Sequence, residues 1–198
     1  MTPNQLGAFQ AHATDWAGKP LTVDRALGPR TRWALAIADL PRYRRDIVAG
    51  ACRRVGLAET APNTGPEIDM WLSAVGARPG DPWCAAFVYA VLAQAWVPAK
   101  ATASARVCLE QYPEVAQPLP GDLMGWVNAD GTGHVGFVIG FTREGSATVE
   151  GNSANTVRVC SRPMAGLQFR RVPAQQYAVE LTPVTGAPVV VRAVAGTR

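Results

Sequence analysis

The sequence predicts an α+β fold, with N-terminal helices followed by a small antiparallel meandering sheet. Three observations carry this. Up to about residue 97 the apolar residues recur at helical spacing, as in Ile47, Val48, Ala51, Cys52 and Val55. From Pro120 the apolar runs shorten to strand length and are separated by Gly, Asn and Asp turns. Helices come first and strands after, without the regular alternation of a parallel α/β fold. The composition, 48% hydrophobic and 17% charged over 198 residues, suits one good core with room for a small extra module.

Each element has its own signal. Asn4 to Trp16 is expected as a short helix. Gly28-Pro29 breaks the chain and opens a second helix, with Trp33 and Ile37 on one face. Residues 43–57 read as an amphipathic helix whose arginines take the outward side. Residues 67–75 repeat that logic with Ile68, Trp71, Leu72 and Val75. The segment from Cys84 to about Ala95 is apolar on most sides, through Phe87, Val88, Val91 and Leu92, so it is predicted to be central and buried, with Pro98 closing it. Residues 99–118 are expected to be irregular apart from a helical turn or two around Arg106. Strands are predicted over residues 123–127, 134–142, 147–152, 156–161 and 168–172.

Charge and cysteine usage narrow the function classes. A net charge of +4 and a pI of about 9.1 suit a polyanionic partner, either cell wall or nucleic acid. The arginine groups Arg42-Arg44-Arg45 and Arg53-Arg54 read as solvated helix faces. No nucleic-acid motif accompanies them, so no nucleic-acid partner is expected. No apolar run approaches membrane-spanning length, and no membrane insertion is expected. Met1 to Gln10 has neither a basic stretch nor an apolar one, so the chain is expected to be made in the cytoplasm without a secretory signal. Cys52, Cys108 and Cys160 read as small apolar fillers. The cysteines lack zinc-like close pairing, and no Asp-x-Asp-x-Asp-Gly run is present, so neither metal nor cofactor is expected.

The fourth cysteine stands apart. Cys84 lies where the Gly/Pro/Asp-rich turn Ala77–Pro82 runs into the most apolar helix. The unpaired N–H groups of a first helical turn and the helix dipole favour an anion there, and a thiolate is such an anion. Cys84 is therefore a candidate nucleophile; taken alone it is equally well a small buried residue of a core helix. A nucleophilic Cys needs a base, which is usually a His oriented by a third polar group. Of the two His, His134 opens an apolar strand after a Gly-rich turn. If the next turn centres near Glu144-Gly145, His134 faces the region 152–155. Glu150 and Asn152, two residues apart on one strand face, are then both candidates to reach the imidazole.

These segments together resemble the CHAP family of cysteine peptidoglycan amidases and peptidases. The matching motifs are Cys84 in "PWCAAFV", His134 in "GHVGFV", Glu150 and Asn152 in "VEGN", and "GDL" at Gly121 to Leu123. Asn63 to Gly76 resembles the helix that commonly precedes the Cys. The resemblance covers roughly residues 45–172 and implies a papain-like fold. It also implies Cys84, His134, Glu150 and Asn152 as the catalytic set. Trp83 is expected beside the thiol, as a hydrophobic wall or a substrate contact. Asp122 is expected to satisfy backbone donors at a strand start.

The organisation that follows has three parts: a helical unit over 1–40, a CHAP-like catalytic domain over 41–173, and a tail over 174–198 with no assigned role. The first unit contains "VDRALGPRT", which looks like the "VDGxFGPxT" turn of small peptidoglycan-binding modules, with Arg25 where that pattern has Gly. It reads as a degenerate wall-binding module or as scaffolding. The implied function is hydrolysis of an amide in bacterial peptidoglycan, at the sugar–peptide junction or within the stem peptides or cross-links. A phage lysin acting at the wall, in the host periplasm or outside the cell, fits this chemistry. An antibacterial effector with an immunity partner fits it too, and an inactive wall-binding module is the non-enzyme alternative.

Overall fold

A computed structural model describes residues 1–174 and, beyond them, the pairing of Ala178–Val179 with Ala193–Val194. The 174–198 tail therefore lies almost wholly outside the described residues. Six helices precede the sheet: α1 (Pro3–Gln10), α2 (Pro29–Ala38), α3 (Arg42–Cys52), α4 (Pro66–Ala74), α5 (Cys84–Gln94) and α6 (Ala105–Glu110). Three of them begin on Pro, whose fixed φ suits a first helical turn and whose missing N–H costs nothing there. None of the described helices is long and apolar enough to cross a membrane.

The sheet comprises β1 (Leu123–Val127), β2 (Gly133–Phe141), β3 (Ser146–Ser153), β4 (Thr156–Arg162) and β5 (Gln168–Arg170), in the antiparallel order β4-β3-β2-β1-β5. The α+β class is as predicted. The meander holds only through β4, because β5 crosses back to the free edge of β1, with Leu123 opposite Arg170. Asp122 draws it there. Its fully buried carboxylate accepts from Val172 N, Leu119 N and the guanidinium groups of Arg44 and Arg171. Asp122 thus does more than cap a strand start. It also corrects the reading of the arginine group on α3, since Arg44 is buried and paired at 2.8 Å rather than solvated.

Strand alternation gives the sheet two faces. Leu123, Val135, Phe137, Ile139 and Val149 face the helices and join Ile47, Val48, Leu72, Phe87, Val91 and Leu92 in the main core. Met124 and Val138 point the other way and pack with Phe169. The predicted centrality of α5 is realised, with Phe87, Val88, Val91 and Leu92 all inaccessible to solvent.

The N-terminal helix stops at Gln10, short of the expected Trp16, because side chains capture the backbone that follows. Asp15 accepts from Ala17 N and Lys19 N. Gln10 accepts from Arg25 N and donates to Asp24 Oδ1 at 2.7 Å. Arg25, at the position where the wall-binding pattern has Gly, adopts φ of 58°, a region where a non-Gly residue is strained. Trp33 on α2 donates its indole N–H to Ile139 O at 2.7 Å, where the pairing of β2 with β3 is irregular. The irregularity leaves a carbonyl that the indole satisfies.

Candidate active site

Cys84 is the first residue of α5, as the turn-to-helix transition predicts. The helix has no side-chain N-cap, so side chains leave the N–H groups of its first turn unfilled. Gly151 sets how closely this helix lies against β3. A Cβ at that position would sit 2.6 Å from Phe87 Cβ and 2.8 Å from the Trp83 ring. Only a glycine lets the end of β3 approach the start of α5 so tightly.

His134 enters from β2, opposite Trp126 of β1. Its Nε2 lies 2.9 Å from Glu150 Oε2, and Cys84 is the other side chain whose proximity raises its pKa. Gly136 makes room for this arrangement, since a Cβ there would meet Glu150 Cγ at 2.8 Å. The glycines of "GHVGFV" and "VEGN" thus serve close approach, one under the carboxylate and one under the nucleophile helix. Burial disfavours a charge on His134, but the bonds to Cys84 and Glu150 outweigh it, so the imidazole holds its proton up to about 9 against an ordinary 6.5.

Glu150 is fully buried and its two oxygens are saturated. Oε1 accepts from Thr148 Oγ1 at 2.6 Å and Arg162 Nε at 2.9 Å; Oε2 accepts from Arg162 Nη2 at 2.6 Å and faces His134. Burial pushes this carboxyl up, but Arg162, then His134 and Thr148, hold it at about 2. The site is therefore a buried carboxylate between an imidazole and a guanidinium. Trp126 packs on both cations, with its ring centroid 4.9 Å from that of His134 and 5.3 Å from the Arg162 guanidinium carbon.

The structure brings Cys84, His134 and Glu150 together and sends Asn152 elsewhere. Phe137 pairs with Val149, a shorter reach than the expected register, so Glu150 lies across from Gly136 and diagonal to His134. A register shift between Glu150 and Ser153 breaks the strand alternation, and Asn152 takes φ of 54°. Its amide donates to Asn63 Oδ1 at 3.1 Å. Trp83, expected as a wall or a substrate contact, is 0% exposed and offers no face to a substrate. It packs tilted on Trp71, and its indole N–H donates to Glu59 Oε1 at 2.8 Å.

Sequence reasoning missed Arg162, Thr148 and Trp126. The first two share the strand face of Glu150 on β4 and β3, since Ser146 pairs with Arg162 and Thr148 with Cys160. Period-two spacing back from Glu150 points to Thr148, whereas Arg162 requires the β3–β4 register. Among the described residues, no group of three or more His, Cys, Asp or Glu side chains is placed to hold a metal ion. Cys52 and Cys108 are buried, and burial pushes both thiols up to about 12. Cys160 is half-buried, with its sulfur 3.6 Å from Ser153 Oγ.

Comparison with known proteins agrees with the motifs. Residues 76–155 match the CHAP domain family, so the resemblance read from the sequence holds across this segment. No curated protein matches the chain. Among solved structures the chain is similar to the Mycobacterium tuberculosis peptidoglycan hydrolase RipB, at 17% identity, covering 87% of this chain and 85% of that one, with a TM-score of 0.47. It is similar to M. tuberculosis RipD, described as a non-catalytic NlpC/p60 domain protein adapted to peptidoglycan binding, at 16% identity, 68% and 100% coverage and a TM-score of 0.45. The P60 domain of a Mycobacterium avium paratuberculosis antigen is similar at 15% identity, 71% and 98% coverage and a TM-score of 0.47.

Proposed function

We propose that this chain hydrolyses an amide bond of bacterial peptidoglycan, with Cys84 as nucleophile, His134 as proton carrier and Glu150 as the group that orients and charges the imidazole. One observation carries the reading: the imidazole of His134 stands 2.9 Å from the buried Glu150 carboxylate and close enough to Cys84, at the start of α5, for that side chain to raise its pKa. An imidazolium held by a buried carboxylate pairs with a thiolate, the form of cysteine that attacks carbonyl carbon.

The chemistry balances in two steps. The sulfur bonds to the amide carbon, the carbon–nitrogen bond breaks, and the imidazolium proton goes to the departing amine. Water then attacks the thioester and gives a proton to the now neutral His134. The carbon–sulfur bond breaks, the carboxylic acid product leaves and gives its proton to solvent, and thiolate and imidazolium are restored. The N–H groups at the uncapped start of α5, that of Cys84 first among them, are suited to hold the oxyanion of each tetrahedral intermediate.

The bond cut is an amide, at the sugar–peptide junction or within the stem peptides and cross-links. Cell lysis is the setting we favour, and an effector restrained by an immunity partner uses the same chemistry. A single digestion tests the reading. Purified walls treated with the protein should release new free amines without new reducing sugar ends, and Cys84→Ala should release neither while keeping its melting temperature. Reducing ends without amines, or full clearing by Cys84→Ala, sinks it. Glycosidic cleavage calls instead for two carboxylates flanking the bond.

A further inference from the structure

We propose that Asn63 and Asn152 form a positioning pair whose side-chain hydrogen bond holds the Cys84 turn against the end of β3, so that Asn152 serves the reaction by placing the thiol rather than by contacting His134. The inference rests on the catalytic reading of Cys84 and His134 above.

The connections run unbroken. Asn152 Nδ2 donates to Asn63 Oδ1 at 3.1 Å. Asn63 spends its other groups on the nucleophile turn and its brace. Its Nδ2 donates to Gly80 O at 3.1 Å, its carbonyl accepts from Gly80 N at 3.2 Å, and its N–H donates to Glu59 Oε2 at 2.8 Å. The second oxygen of Glu59 accepts the indole N–H of Trp83, the residue immediately before Cys84. Glu59 N in turn donates to Asn155 O at 3.0 Å. The loop 59–64 is thereby tied to the end of β3 and its following turn on one side, and to the entry of α5 on the other.

Two further facts set Asn152 apart from the imidazole. Each oxygen of Glu150 already has two partners, which leaves no place on that carboxylate for an amide. Both asparagines are left-handed, Asn63 at φ of 53° and Asn152 at 54°. Asn tolerates that backbone better than most residues and Gly tolerates it best. A turn alone would be satisfied by Gly, whereas joining two left-handed positions needs an amide on each.

This backbone also makes the test clean, because Asn→Gly removes the side chain without adding strain. The variants are Asn63→Gly, Asn152→Gly and the double, in the full chain. The readouts are kcat and KM for wall hydrolysis, and the iodoacetamide alkylation rate of the peptide containing Cys84. Asn152→Gly removes the shared bond alone and is expected to lower kcat and the alkylation rate roughly tenfold, the worth of one hydrogen bond, whereas Asn63→Gly also loses the bond to Gly80 O and is expected to lower both by at least as much, with KM little changed in either. The double variant should fall no further than Asn63→Gly, because the bond that Asn152→Gly removes is already gone there. The pair is overturned if the double loss is the product of the two single losses, the mark of two independent roles. It is overturned equally if Asn152→Gly loses rate while Asn63→Gly does not. Should the wild type fail to hydrolyse walls, the functional reading fails alone, because the alkylation cycle still decides the pair.

Discussion

Glu150→Gln tests the charged centre of the site most directly. The wild-type carboxyl is held at about 2 against an ordinary 4.5, and at 1.36 kcal/mol per pKa unit this amounts to about 3 kcal/mol. Because the folded value is depressed, that stability is fully present above pH 4.5 and is lost as pH falls toward 2. Glutamine is neutral at every pH, leaves the Arg162 guanidinium without a counter-charge, and turns an amide N–H₂ toward donors on one side. At neutral pH the variant should therefore be less stable by about 3 kcal/mol, a melting-temperature drop of about 6–12 °C for a chain of this length. The difference should shrink steadily from pH 4.5 to pH 2, as the wild type loses the same contribution. His134 acts with the opposite sign: its raised value adds stability that is complete below 6.5 and is lost as pH rises through about 9. The wild-type advantage should therefore narrow again as pH rises from 6.5 through about 9. The two ranges describe one shared pair and are not summed. Thermal melts of both proteins from pH 2 to pH 10 measure the difference. A gap that stays constant from pH 5 to pH 2, or is absent at pH 7, refutes the account of Glu150 as a buried, triply supported carboxylate.

Two other substitutions probe the placement of the same groups. Gly151→Ala puts a methyl 2.6 Å from Phe87 Cβ, so α5 must move off β3; we expect a loss of about 1–3 kcal/mol and, in the protein that remains folded, a Cys84 alkylation rate well below wild type. Unchanged alkylation would mean that the close approach does not place the thiol. Arg162→Met removes two bonds to Glu150 and a cation over Trp126, so the carboxyl should titrate about 1–3 units higher, readable by carboxyl NMR as an acid-side transition absent from the wild type. Arg162→Lys keeps the charge without the fork and should restore most of that shift; a Glu150 titration unmoved in Arg162→Met contradicts the assigned partnership.

The parts of this protein legible in its sequence are those governed by local rules. Helical spacing in Ile47 to Val55 and in Phe87 to Leu92 placed α3 and α5, because which face is apolar depends on the residues of the segment itself. The turn Ala77 to Pro82 placed Cys84 at a helix start, and the Gly-rich turn placed His134 at the head of a strand, with Glu150 within reach of it. What the tertiary structure alone decided depends on groups far apart in the chain. Arg44 looked like one more solvated arginine until Asp122, 78 residues on, drew it into the interior. Asn152 shares period-two spacing with Glu150, yet the bulge after Glu150 turns it toward Asn63, and no count of residues along one strand reveals a bulge. Arg162 completes the carboxylate only because β3 and β4 pair in one register, and a single-residue slip would turn it to the other face. Sequence determined which segments form and where Cys84 and His134 stand on them, since those follow from local periodicity and residue type. Only the folded chain decided which donor meets which acceptor, since a buried polar group takes its partner from whatever element packs beside it.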